Sequence, residues 1–505
     1  MIDRGAGVTP APFFLCFPKN VNLNEMDSAS YQLTVGLEIH VELKTKTKMF
    51  CRSANDPDER RPNVNVCPIC LGHPGTLPTI NKQAIEHVLR VGLALGGQLA
   101  NFSEFDRKNY FYPDLPKGYQ ISQYQHPLVT GGQLNDVAVT RVHLEEDTAR
   151  FVHAAPGGVS GSLVDFNRAG VPLMELVTEP VIKTAKQAAN FAREFQLLLR
   201  YLEVSGANME KGEMRVEANI SVAASGARGT KVEIKNLNSF RSVERAIDFE
   251  LNRQATLLTT GERVIQETRG WDESREITFS QREKESAHDY RYFPDPDLPK
   301  LKIGEIEEFK NLPATIPELP WQKRTRYQRD YALKPNDIEG LVSEKRWADF
   351  FDQVTNHLKS EKKAGLGQLA ANYLLTDLIN LLAKPETLAP EPRAFAELVT
   401  MIEQNEISSR AAKDILADLV YPQKIQGEST SPRDLAKAKN LFQESDETNL
   451  RGVVNQIISK NPKVVADYQN GKKSSLQFLV GQGMKLSGGA ANPQILGRLF
   501  TEILG

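Results

Sequence analysis

The sequence predicts an α+β fold: a mainly antiparallel β-sheet cradle with covering helices, followed by an all-α domain and a small α-helical tail. Three observations carry this. Short alternating runs such as "LTVGLEIHVEL" (33–43), "TRVHLEE" (140–146), "RVEANISV" (215–222) and "TKVEIK" (230–235) fill the chain from about 32 to 300, with Gly, Pro and Asn between them. Alternation sends successive side chains to opposite faces of a strand, one buried and one polar, as in an antiparallel sheet packed on one side. Two helical patterns interrupt the strands: Phe191, Phe195, Leu198, Leu199 and Leu202 fall at helical spacing, and "SVERAIDFELNRQATLL" makes a second. Beyond about 300, Val and Thr thin out, and Leu, Ala, Lys and Glu at helical spacing take over from "TIPELPWQKRTRYQRDY" onward.

Taken in order, residues 1–31 lack a basic stretch followed by an apolar core and a small-residue cleavage site, and read as a disordered extension. A cradle over 32–300, a helical domain over 301–435 and a tail over 436–505 follow. In the tail, Asn492 reads as an N-cap with Pro493 at the first helical position, ahead of the apolar stripe Ile495, Leu496, Leu499, Phe500, Ile503 and Leu504.

A chain of 505 residues is long enough for two or three cores. No apolar run is long enough to cross a bilayer, so no membrane role is expected. The formal net charge of −2 restricts any nucleic-acid contact to a local patch. Four cysteines in this length fit a reduced, cytoplasmic compartment rather than a disulfide scaffold.

Strand parity places Glu38, His40 and Glu42 on one face of the first run. A solvated outer face is the plain explanation for one such strand. Nearby, however, "HLEEDTARFVH" brings His143, Glu145, Glu146 and Asp147, "RVEANIS" brings Arg215, Glu217 and Asn219, and "DFNRAGVPLMELVTEP" brings Asp165, Glu175 and Glu179. Carboxylates converging in a partly buried cleft repel one another strongly, and a cation relieves that repulsion. Oxygen ligands with an occasional imidazole suit Mg²⁺ or Mn²⁺, and Mg²⁺ commonly accompanies a nucleotide phosphate. No GxxxxGK[ST], kinase motif set or GxGxxG is present, so an ATP site would be of an uncommon type.

"FDRKNYFYPDLPKGYQISQYQHP" interleaves Arg107, Lys108 and Lys117 with aromatic residues, suiting phosphates and unstacked bases, or else forming a packed loop. Cys67 and Cys70 form a CxxC knuckle to which Cys51 can add a third Zn²⁺ ligand. Ser53 stands where a fourth cysteine is expected. His73 or Cys16 as substitute, or a metal-free loop, are the alternatives. Residues 451–505 carry seven basic against two acidic side chains, consistent with contact to a polyanion or with a solvated helical surface.

"VGLEIHVELKTKTKMFC", "PNVNVCPICLGHPGTLPTIN", "FDRKNYFYPDLPKGYQISQ", "HLEEDTAR", "DFNRAGVPLMELVTEP", "KVEIKNLNSFRSVERAI", "QETRGWDESREIT" and "DYRYFPDPDLP" resemble, in order, blocks of the B subunit of the bacterial glutamyl/aspartyl-tRNA amidotransferase. "FLVGQGMKLSGGAANPQ" is similar to that family's tail, so the resemblance spans about 33–505. It implies a ligase forming C–N bonds with glutamine as amido donor. In that family the B subunit uses ATP and Mg²⁺ to phosphorylate the side-chain carboxylate of Glu-tRNA(Gln) or Asp-tRNA(Asn). An amidase subunit supplies ammonia through a channel, and a small third subunit completes a heterotrimer. Position by position, Glu38, His40, Glu146 and Glu175 match the family's metal and phosphate-transfer residues, with Glu210 and Glu217 as weaker candidates. Lys108 matches the channel lysine, with Tyr110 beside it. Cys51, Cys67 and Cys70 correspond to part of the zinc set found in many members. Lys472, Lys473 and Lys485 lie in the tRNA-contacting tail. Glu42 is left as a solvated carboxylate. The competing reading is a tRNA-binding scaffold without catalytic function.

Overall fold

The computed structural model describes residues 31–152, 161–224, 227, 229–283, 290–359, 365–384, 387–421, 431–443, 446–487 and 491–505. The expected extension, apart from Tyr31, lies outside the described residues, as does Cys16. The chain divides into two compact units, Met1–Ile316 and Pro317–Gly505.

The first unit is ordered β1 (Tyr31–Glu42), α1 (Lys82–Ala94), β2 (Asp106–Asn109), β3 (Tyr119–Ser122), β4 (Val137–Glu146), β5 (Pro172–Thr178), α2 (Ala185–Tyr201), β6 (Met214–Ala224), β7 (Val232–Leu237), α3 (Phe240–Thr259), β8 (Glu267–Asp272), β9 (Ile277–Glu283) and β10 (Phe293–Pro294), with short strands of two or three residues between some of them and after the last. Its main sheet has ten strands: nine run β9-β8-β7-β6-β1-β5-β4, then Val129–Thr130 and Gln98–Leu99, and the tenth, Gln133–Leu134, pairs with β4 off that path. Every pairing along that order is antiparallel except β7 with β8. The mainly antiparallel sheet expected from alternation is therefore present, with one parallel step that α3 makes possible by carrying the chain across.

β1 lies near the centre. Leu33, Val35, Leu37, Ile39 and Val41 are buried, while Glu38, His40 and Glu42 keep partial exposure on the other face. Helix α2 starts where the Thr184 side chain accepts the Gln187 N–H, and it buries Phe191, Phe195, Leu198 and Leu199. Helix α3 starts at Ser239 in the same way and packs on α2 and β6. A third helix, α1, was not among the two expected. Its signals are short: Asn81 caps it, and Ile85, Val88 and Leu89 form the buried stripe. The unit extends past 300 because Leu301–Lys302 pairs with Phe102–Ser103, and Ile303, Phe309 and Leu312 are buried.

Glu250 clamps the sheet edge to α3. It is fully buried and accepts from Arg253 Nε and Nη2, each at 2.9 Å, from Gln254 at 3.0 Å and from Thr278 Oγ1 at 2.5 Å. Burial opposes its charge, but these donors win and hold its pKa below the ordinary carboxylate value. Glu250→Ala is expected to cost about 3–5 kcal/mol in chemical denaturation, because Arg253 and Arg269 are left without their buried anion. The sign with pH follows from the depressed value. The contribution is complete above the unfolded carboxylate pKa and is lost as pH falls through the folded one, so the alanine variant should show a shallower acid decline.

The second unit is helical: α4 (Pro320–Tyr331), α5 (Pro335–Val342), α6 (Lys345–Lys359), α7 (Leu366–Tyr373), α8 (Ile379–Leu382), α9 (Pro392–Glu403), α10 (Ser409–Val420), α11 (Pro432–Ala438), α12 (Glu447–Lys460), α13 (Pro462–Gln469), α14 (Ser474–Leu486) and α15 (Pro493–Leu504). Leu450, Val454, Ile457, Leu479, Leu496, Leu499 and Phe500 form a core of α12, α14 and α15. Helix α15 begins as its sequence signals indicate, the Asn492 side chain accepting the N–H groups of Gln494 and Ile495 with Pro493 at the first position. No helix among the described residues is long and apolar enough to cross a membrane.

Candidate active site

Antiparallel register brings the polar groups of four strands into one field. On β1, His40 stands opposite Glu175 of β5 on one side and Arg215 of β6 on the other; Glu38 stands opposite Glu217. Glu175 in turn stands opposite His143 of β4, and Glu145 follows His143 on the same face.

The side chains close up accordingly. His40 Nε2 lies 3.3 Å from Glu175 Oε2, 3.7 Å from Glu145 Oε1 and 3.8 Å from Glu38 Oε1. His143 Nε2 is 3.4 Å from the same Glu175 oxygen, and Arg141 Nη2 is 3.5 Å from its other oxygen. Two ligand-capable triads result, Glu38–His40–Glu175 and His143–Glu145–Glu175, each with its donor atoms within 4.8 Å of one another. Glu175 belongs to both.

Burial, then the charge of Glu175, push Glu38 up to about 7. Burial lowers His40, but its hydrogen bond to Glu175 and the charges of Glu175 and Glu145 outweigh that and leave it at about 9. His143 is pushed down to about 4 by burial, so it is a neutral imidazole near pH 7. Burial would raise Glu175 too, yet the imidazoles and the Lys108 ammonium hold it well below the usual carboxylate range. With His143 neutral, the cations around Glu175 are His40, Lys108 and Arg141. Burial raises Glu145. His143 Nδ1, the ring nitrogen other than the one facing Glu175, is buried without a hydrogen-bond partner. Buried carboxylates with one or two imidazoles are a donor set that Mg²⁺ or Mn²⁺ can use.

A smaller sheet supplies the rim. β2, β3 and β10 pair in the order β10-β2-β3. Ser122 Oγ on β3 donates to Glu145 Oε2 at 3.2 Å. Lys108 on β2 points its ammonium over the Tyr290 ring, 4.9 Å from the centroid, and 5.9 Å from that of Tyr110. Its pKa is raised: burial opposes the charge, but Glu145, Tyr292 and Glu175 overcome it. Tyr110 and Tyr290 meet edge to face at 6.0 Å, and Tyr124 stacks on Tyr292 at 4.4 Å.

The structure thus brings Glu38, His40, Glu175, Lys108 and Tyr110 together. It also adds Glu145 and His143, which sequence reading left without a role. Glu146 is not among them: parity turns it away, and it accepts from the Ile121 N–H at 3.0 Å and pairs with Lys117 at 2.7 Å. It faces a cavity of about 260 Å³ that Arg107, Lys117, Tyr119, Cys51 and Cys70 also line. Glu210 is exposed on the turn before β6, its N–H donating to Asn208 Oδ1. Glu217 borders the field, held by Lys235 at 2.8 Å. Glu42 is half-buried rather than solvated. The end of β1 carries it toward Asp147, Arg215 and Arg168, and burial, with Asp147 beside it, pushes it up to about 8.

Cys51, Cys67 and Cys70 converge, their sulfurs within 4.8 Å of one another. The Ser53 hydroxyl is 3.9 Å from Cys70 Sγ, and the buried Lys48 ammonium is 3.7 Å from it. Three thiols plus one hydroxyl make an incomplete zinc set, and Lys48 offers charge compensation that a thiolate would need with or without metal. His73 is exposed nearby and lines the same cavity as Cys51 and Cys70. In the second unit, Lys472, Lys473 and Lys485 are exposed, Lys472 pairing with Asp467 at 3.2 Å.

A family model described as the GatB/GatE catalytic domain matches residues 33–307, and one described as the GatB domain matches 349–504. The chain is 43% identical over 488 residues to the B subunit of the aspartyl/glutamyl-tRNA(Asn/Gln) amidotransferase of Thermomicrobium roseum, covering 94% of this chain and 99% of that protein. It is 42% identical to that of Caldanaerobacter subterraneus subsp. tengcongensis and 40% to that of Carboxydothermus hydrogenoformans, with the same coverage. With family models matching 33–307 and 349–504, and relatives alike over nearly their whole length, the chain belongs to the family of aspartyl/glutamyl-tRNA amidotransferase B subunits.

Proposed function

We propose that this chain is the ATP- and Mg²⁺-dependent subunit that phosphorylates the side-chain carboxylate of Glu-tRNA(Gln) or Asp-tRNA(Asn) and presents it to ammonia, giving Gln-tRNA or Asn-tRNA. The observation that carries this is the shared position of Glu175, within contact of both His40 and His143, in a buried field rimmed by Lys108. An amidase subunit and a small third subunit complete the enzyme, a C–N ligase acting in translation.

A carboxylate is a poor electrophile, since attack by ammonia would have to expel oxide. Phosphorylation turns that oxygen into a leaving group, and phosphoryl transfer depends chiefly on positioning and charge neutralisation. Glu38, His40 and Glu175 would hold Mg²⁺, His40 giving up its proton to do so, and the bound ion would supply charge neutralisation for the phosphate oxygens. Glu145 extends the set, fixed by Ser122. Lys108, charged and set against the rings of Tyr110 and Tyr290, marks the wall along which neutral ammonia would arrive, and the aromatic rim excludes water from the acyl phosphate. Cys51, Cys67 and Cys70 would be the thiolate ligands of a Zn²⁺, a set of three that leaves the fourth ligand to be supplied from outside it. The tail, with Lys472, Lys473 and Lys485, contacts tRNA phosphates.

With the partner subunits added, Glu38→Ala should lower ATP-dependent amidation by roughly 10²–10³-fold while tRNA binding stays within a factor of two. Unchanged turnover would leave a tRNA-binding scaffold as the better account.

A further inference from the structure

Glu217 is the carboxylate nearest in register to Glu38, yet among the described residues it is absent from the ligand-capable triads. The reason lies on the next strand. Lys235 Nζ donates to both Glu217 oxygens, at 3.0 and 2.8 Å. Neither side chain is freely solvated, being 32% and 15% exposed. The pairing of β6 with β7 slips between Val216 and Ala218, so that Val216 faces Leu237 while Ala218 faces Ile234. The extra residue on β7 is accommodated beside Lys235 by Asn236, which takes φ +66°, a left-handed conformation that Asn enters more readily than most residues. A bulge of this kind re-aims a side chain. Here it aims a lysine at one carboxylate of the field.

We infer that Lys235 is a positioning residue that withdraws Glu217 from cation ligation and so sets the charge and selectivity of the site. With Glu217 neutralised, the carboxylates of Glu38, Glu175 and Glu145 face the cation space with the His40 imidazole, a set matched to a small divalent cation. With Glu217 released, a further carboxylate faces the same space, and the added oxygens favour Ca²⁺, which takes six to eight oxygen ligands, over octahedral Mg²⁺. This rests on the cation-binding role proposed for Glu38, His40 and Glu175.

The test is cation binding to the full chain, followed by Mn²⁺ electron paramagnetic resonance with Mg²⁺ and Ca²⁺ as competitors. Lys235→Met should tighten Mn²⁺ binding and favour Ca²⁺ as competitor, each on the order of tenfold. Lys235→Arg, which keeps a cation able to grip both oxygens, should match the unaltered chain, as should Lys235→Met combined with Glu217→Gln. Glu217→Gln alone bares the Lys235 ammonium beside the site and should weaken Mn²⁺ binding on the order of tenfold, the mirror of Lys235→Met, and this variant keeps the test decisive if Lys235→Met does not fold. Weaker binding in the double variant than in the unaltered chain would make Glu217 a ligand and overturn the inference, as would unchanged binding in Glu217→Gln alone. An effect of Lys235→Met that persists in the double variant would overturn it as well. Binding by the unaltered chain with no response to any of these changes defeats the inference alone; no Mn²⁺ binding by the unaltered chain defeats the cation-site reading with it.

Discussion

Glu175→Gln is expected to lower ATP-dependent amidation on the order of 10³-fold, with little change in tRNA binding or in glutamine hydrolysis by the amidase partner. The substitution keeps volume and removes only charge. It is the most damaging single change because Glu175 alone is shared by both triads and touches His40, His143 and Arg141. A steady-state assay on both misacylated tRNAs measures it. A tenfold effect or smaller would place the cation elsewhere.

Lys108→Met comes next, with glutamine-dependent amidation falling by roughly 10²–10³-fold. The side chain is half-buried, its charge is held by Glu145 and Glu175, and its ammonium lies against two aromatic rings. If it acts on the arriving ammonia, ATP cleavage should fall by less than about tenfold, since the phosphorylating field itself is intact. Equal loss of both activities would show that Lys108 serves the carboxylates instead.

Half of the site was legible in the sequence. Strand parity alone put Glu38 and His40 on one face, and the structure keeps them there. What parity within one strand cannot give is register between strands. The pairing of His40 with Glu175, and of Glu175 with His143, depends on segments far apart in the chain. "HLEED" shows the difference well. It offers adjacent carboxylates on opposite faces; the resemblance points to Glu146, whereas His143, two residues before Glu145, shares its face and marks which one meets His40. Glu145→Gln and Glu146→Gln, assayed side by side, separate phosphoryl-transfer chemistry from the role of the Lys117-paired carboxylate. The bulge that aims Lys235 left no periodic signal, because one inserted residue in a six-residue strand is indistinguishable from a strand end. Glu42 illustrates the converse: exposed by parity, it is covered because β1 ends against the Asp147–Arg215 pair.

The central claim is that this chain activates the substrate carboxylate by phosphorylation at the field around Glu175. Its most direct test uses Glu-tRNA(Gln) labelled with ¹⁸O in the side-chain carboxylate, incubated with ATP, Mg²⁺, glutamine and the reconstituted complex. Inorganic phosphate carrying one ¹⁸O for each Gln-tRNA formed is the expected result, lost in Glu175→Gln. Gln-tRNA formed with unlabelled phosphate would contradict it.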